Sequence, residues 1–145
     1  MSGTWVLDSE ALSLYLQADR KMTARLAVAL QDDVRVVIAA ATFVEADCVK
    51  VHPARLDWVL SRLVSVPLTR ELARAASNLL KDAGLHGHKY AIDAMVVATA
   101  LAAADKPVTV LTSDADDIST LLGDRLDRPG LGRTGSSVQV RVLAV

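Results

Sequence analysis

The sequence predicts an α/β fold, a mainly parallel sheet of about five strands with helices on both faces, formed by residues 1–145 as one domain. Three observations carry that prediction. Short β-prone runs alternate with longer segments whose apolar residues recur at helical spacing. The run Val34-Arg35-Val36-Val37-Ile38-Ala39 is dense in β-branched residues, as suits a strand covered on both faces. Residues 90–104 are apolar almost all the way round a helix, which marks a helix buried inside a domain, since a bilayer span needs about twenty residues. A chain of 145 residues is long enough for one real core and too short for two ordinary domains.

From the N-terminus, Thr4 to Leu7 reads as a strand that stops at Asp8-Ser9, with a helix-compatible segment over 11–16. Residues 22–30 carry Leu26, Ala29 and Leu30 at helical spacing, and Asp32-Asp33 turns the chain into the strand at 34–39. A helix is expected over 41–51, ended by His52-Pro53, and another over 54–64, with Leu56, Val59, Leu60 and Leu63 inward. Residues 65–68 suit only an edge strand, where Pro67 is tolerated. Thr69 is a natural N-cap for the next helix, and Gly84 is placed to close it. A loop over 85–89 leads to the buried helix, which Lys106-Pro107 ends; residues 108–112 form a strand, and a helix starts near 113–118. Residues 123–137, with four glycines, have the composition of a mobile loop, and 138–143 alternate as a last, partly exposed strand does. Right-handed crossovers bring the carboxyl ends of such strands to one edge.

Composition narrows the function classes. A net charge of −1 excludes coating polyanions by bulk attraction, and 3% aromatic residues exclude a nucleic-acid platform of several stacked rings, so any such contact runs mainly through phosphates. Cys48 is the sole cysteine, which rules out an internal disulfide framework and a cysteine-rich zinc site. Nothing near the N-terminus has the pattern of an export signal or a membrane span, so the expected location is cytoplasmic.

The chemistry-bearing residues are acids. Asp8 follows the first strand, Glu45 sits one turn into the helix after the second, Asp93 lies near the start of the buried helix, and Asp114 follows a later strand. All can reach the same sheet edge. Asp114 and Asp117, three apart, share a helix face, whereas Asp116 points elsewhere. Singly, each has an ordinary role: Asp8 and Asp114 as helix caps, Glu45 as a solvated residue, Asp93 as a partner of the helix dipole. Together in one cleft they cannot all stay ionised at neutral pH without a cation. Oxygen ligands alone select Mg²⁺ or Mn²⁺ over zinc.

Four segments in order, Val6-Leu7-Asp8-Ser9, Ala41-Thr42-Phe43-Val44-Glu45-Ala46, Ala91-Ile92-Asp93-Ala94 and Leu111-Thr112-Ser113-Asp114-Ala115-Asp116-Asp117, resemble those of the PIN-domain ribonucleases, in particular the VapC-type toxins of toxin–antitoxin pairs. The resemblance covers nearly the whole chain. It implies a PIN-like three-layer sandwich and metal-dependent hydrolysis of RNA phosphodiester bonds, with Asp8, Glu45, Asp93, Asp114 and Asp117 as the catalytic acids. Asp8, Asp93 and Asp114 would bind Mg²⁺ or Mn²⁺, and Glu45 would help hold the metal or orient a water. The partners implied are RNA as substrate, an antitoxin over the acidic cleft, and a second copy of the chain in a homodimer, for which the apolar helices between 54 and 83 also speak. Many members carry asparagine two residues after the first acid, where this chain has Glu10.

Two readings from other classes stand beside this one. The first is a non-catalytic RNA- or protein-binding module of the same fold. The second, an aspartyl-nucleophile phosphatase, ranks last because Glu10 replaces the second acid of its Asp-x-Asp pair. Among the remaining residues, His86 and His88 flank a glycine without a third ligand and read as exposed polar groups. Lys89 either steers phosphate or is merely solvated, Cys48 reads as a buried inert thiol, and Arg125, Arg128 and Arg133 either grip RNA or lie in a disordered loop.

Overall fold

The computed structural model describes residues 3–127 and 139–145. Its sheet consists of β1 (Thr4–Leu7), β2 (Arg35–Ala39), β3 (Val64–Val66), β4 (Val108–Thr112) and β5 (Val140–Ala144), all parallel, in the order β3-β2-β1-β4-β5. Helices α1 (Ser9–Leu16) and α2 (Arg20–Gln31) join β1 to β2, and α3 (Ala40–Ala46) and α4 (Pro53–Arg62) join β2 to β3. The chain then crosses to the other side of β1 through α5 (Arg70–Ala83) and α6 (Gly87–Ala102), and α7 (Ala115–Leu122) precedes β5. Expansion leftward from β1 and then rightward leaves a topological switch point between β1 and β4. Open α/β sheets bind their ligands outside the strand ends at such a point.

The pleat sorts the core into two layers, because successive side chains of a strand point to opposite faces. Val6, Val37, Val108 and Val110 pack against α5, α6 and α7, while Leu7, Val36, Ile38 and Leu111 pack against α1, α2 and α4. Each fully buried Leu or Ile contributes about 1.5–3 kcal/mol, so these two layers hold the helices in place more than helix propensity does. The apolar circumference of α6 is explained by its setting: Ala94 and Val96 to Ala100 are all buried. Among the described residues no helix is long and apolar enough to cross a membrane.

Local signals act as their chemistry requires. Thr69 accepts from the Leu72 N–H and caps α5, and Gly84 ends it at φ +67°, in the left-handed region where a side chain is strained. Four expectations need correction. Helix α3 ends at Ala46 and not at 51, because residues 47–50, Cys48 and Val49 among them, are all exposed and have no core to lie on. Cys48 is therefore not the buried thiol expected. Helix α6 begins at Gly87, inside the expected loop, so Asp93 lies in its second turn. Of the stretch expected to be a mobile loop, Gly123–Arg125 is a 3₁₀ turn and Leu126 bridges to Val140, while 128–137 lies outside the described residues.

Candidate active site

Strand register builds the site. Leu7 pairs with Ile38 on one side and Leu111 on the other, so Asp8 leaves the sheet level with Ala39 and Thr112, the last residues of β2 and β4, and α3 begins one residue after Ala39. The Asp8 N–H donates to the Leu111 carbonyl (3.0 Å), which fixes the crossing point. Asp8 is 4% exposed; its Oδ1 accepts from the Ala11 N–H at 2.8 Å and caps α1. Capping and facing the cleft are thus compatible roles for Asp8. Across the switch point, the Thr112 hydroxyl accepts from the Asp114 N–H at 2.9 Å, and the Asp114 side chain makes no capping bond to α7. Glu45 arrives on α3, where the Ser9 hydroxyl donates to its Oε1 at 2.6 Å.

All five expected acids, Asp8, Glu45, Asp93, Asp114 and Asp117, line one hollow of about 310 Å³, and Glu10 lines it as well. Asp116 is exposed and outside it. Among the described residues the one cation lining the hollow is Lys89. The electrostatic result is visible at Asp93, whose carboxyl is pushed up to about 6, first by burial and then by the charges of Asp114, Asp117, Asp8 and Glu45. Burial also raises Asp8, against contacts from the Ala11 N–H, the Thr112 hydroxyl and the Ser113 N–H that lower it.

An all-oxygen donor set with surplus negative charge fits a hard divalent cation. Among the described residues, however, no three His, Cys, Asp or Glu side chains are grouped so as to hold a metal ion by themselves. Mg²⁺ commonly keeps several waters and takes only one or two carboxylates together with substrate phosphate, so a ready-made cage is not required. His86 and His88 are exposed, as expected.

Of the lining residues, Ser9, Tyr90 and Ile92 carry no site signal in the sequence reading, and Glu10 enters it only as a departure from the PIN-domain and phosphatase patterns. Tyr90 was legible in principle, since it stands three before Asp93 and so shares its helix face. Ser9 carried no such signal, because its partner Glu45 is remote in sequence.

Neither a protein-family model nor a curated protein matches the chain. Among solved structures it is similar to a chain of the crystal structure of VapBC2 from Rickettsia felis bound to a DNA fragment from their promoter, with a TM-score of 0.61 over 97% of this chain and 98% of that one. The fold is PIN-like. At 13% identity the similarity to VapBC2 is one of fold, with β1 at the centre of a three-layer sandwich. Within this PIN-like fold the carboxylates stand on four separate elements and meet only at the strand ends.

Proposed function

We propose that this chain is a Mg²⁺- or Mn²⁺-dependent endoribonuclease, the toxin of a toxin–antitoxin pair, with an antitoxin protein covering the acidic hollow. The observation that carries the proposal is the convergence of Asp8, Glu45, Asp93, Asp114 and Asp117 on one hollow at the switch point of a PIN-like sheet. From Asp8, Asp93 and Asp114 the divalent ion would draw one or two ligands beside waters and the substrate phosphate, and when bound it would neutralise the scissile phosphate and acidify a water. Glu45, steadied by the Ser9 hydroxyl, orients that water or takes its proton. Asp93 binds its proton more tightly than an ordinary carboxyl, so metal binding there competes with protonation increasingly as pH falls toward about 6. The expected result is cleavage of tRNA, rRNA fragments or unstructured RNA by the purified protein in Mg²⁺ or Mn²⁺, abolished by EDTA. Absence of metal-dependent cleavage across that set overturns the proposal.

One observation favours a second reading, a non-catalytic binding module: no three acids are pre-arranged as a ligand set among the described residues. Titration calorimetry separates the two. A nuclease site takes up Mg²⁺ with a defined stoichiometry that Asp93→Asn removes, and a structural cluster does not.

A further inference from the structure

Lys89 and Tyr90 occupy the first turn of α6, one turn before Asp93, and spacings of three and four put all three on one helix face. Both line the acidic hollow, Lys89 exposed and Tyr90 half-buried. With six carboxylates around it, Lys89 would be expected to pair with one of them. Among the described residues it forms no ion pair, and its Nζ lies 5.1 Å from the centroid of the Tyr90 ring. Such a contact keeps the ammonium beside the ring and leaves its donors for another acceptor. Tyr90 is also the one aromatic lining the hollow among the described residues.

We infer that Lys89 and Tyr90 form a nucleotide subsite at the rim of the hollow, in which the ammonium takes a phosphate oxygen and the phenol ring stacks on the adjoining base. The inference rests on the nuclease reading and narrows its substrate to unpaired RNA, because a base must leave its helix to lie on a ring. The phosphate contact is electrostatic and salt-sensitive; the ring contact is not.

The test compares wild type, Lys89→Met, Tyr90→Leu and Tyr90→Phe on one RNA sequence, single-stranded and as a duplex. Cleavage is followed in Mg²⁺, and binding by fluorescence anisotropy in Ca²⁺. Tyr90→Leu should weaken single-strand binding and kcat/KM by about 10- to 100-fold, with Tyr90→Phe close to wild type. Its effect on the duplex should be far smaller. Lys89→Met should lower the slope of log affinity against log salt by about 0.7, one phosphate contact. Equal losses on both RNAs, or a Tyr90→Leu variant that binds and cuts like wild type, overturn the subsite. A wild type that binds single strands through Tyr90 and cuts nothing upholds the subsite and overturns the nuclease reading; one that neither binds nor cuts overturns both.

Discussion

Replacing Asp93 by asparagine removes one charge from a hollow lined by six carboxylates while keeping the side chain's size. The Asp93 carboxyl titrates at about 6 in the folded chain, against 3.8 for an unperturbed aspartate. The folded state therefore holds this proton more tightly than the unfolded state. Stability falls as pH rises through that interval, with no penalty well below its lower end and the full penalty above its upper end. At 1.36 kcal/mol per pH unit the penalty reaches about 3 kcal/mol, and solvent at the half-buried carboxyl reduces it to about 1–2 kcal/mol. Each kcal/mol moves the Tm of a chain this size by about 3 °C. In EDTA at pH 7.5, Asp93→Asn should melt about 3–6 °C above wild type, and at pH 4.5 the gap should shrink to about a third. The assay is a thermal melt followed by circular dichroism at a series of pH values. Addition of Mg²⁺ should narrow the gap at pH 7.5 by raising the wild type alone, since a ligand of the folded state stabilises it by mass action. A variant that melts below wild type at pH 7.5, or a gap that ignores pH, would refute the reasoning and show that protein hydrogen bonds hold the carboxylate.

The two roles of Asp8 are separable. Asp8→Asn keeps the cap on α1 and does not lower the Tm, whereas Asp8→Ala loses about 1 kcal/mol of cap energy and melts about 3 °C below Asp8→Asn; RNA cleavage should be lost in both. Comparison of the two melting curves checks this. Asp114 and Asp117 both line the hollow, but Asp114 makes no capping bond to α7 and acts more strongly on Asp93. Asp114→Asn should therefore lower kcat/KM at least about tenfold further than Asp117→Asn, and the reverse order would make Asp117 the leading acid.

Elements defined by a dense local signal were legible in the sequence. β1 and β4 carry their β-branched residues together, and Thr69 and Gly84 bracket α5 through backbone chemistry that needs no tertiary partner. What failed depended on neighbours. Cys48, Val49 and Val51 continue an apolar pattern, yet the fold provides no surface beneath residues 47–50, so the helix stops at Ala46 and Cys48 is left in solvent. The start of α6 was read too late because Gly87 and His88 are weak helix formers and His86 supplies no capping side chain. For the site, the acids were legible because strand ends in a parallel sheet share an edge. The Ser9–Glu45 hydrogen bond was not, because it depends on how α1 and α3 meet. The order of the strands was not legible either, since nothing in a strand's own residues names its neighbour.

The middle position of β1 shapes how the protein must be made. It leaves the ribosome before the other four described strands, and one of its edges waits for β4, in which Leu111 pairs with Leu7 after about a hundred further residues have been synthesised. Until then the nascent chain carries a half-open apolar sheet, the kind of surface that chaperones cover. Asp114 emerges just behind β4, so an interrupted translation product that stops short of β4 holds Asp8, Glu45 and Asp93 without Asp114 and without the strand that aligns them. Such a fragment would burden the cell with a sticky polypeptide and no assembled cluster of acids.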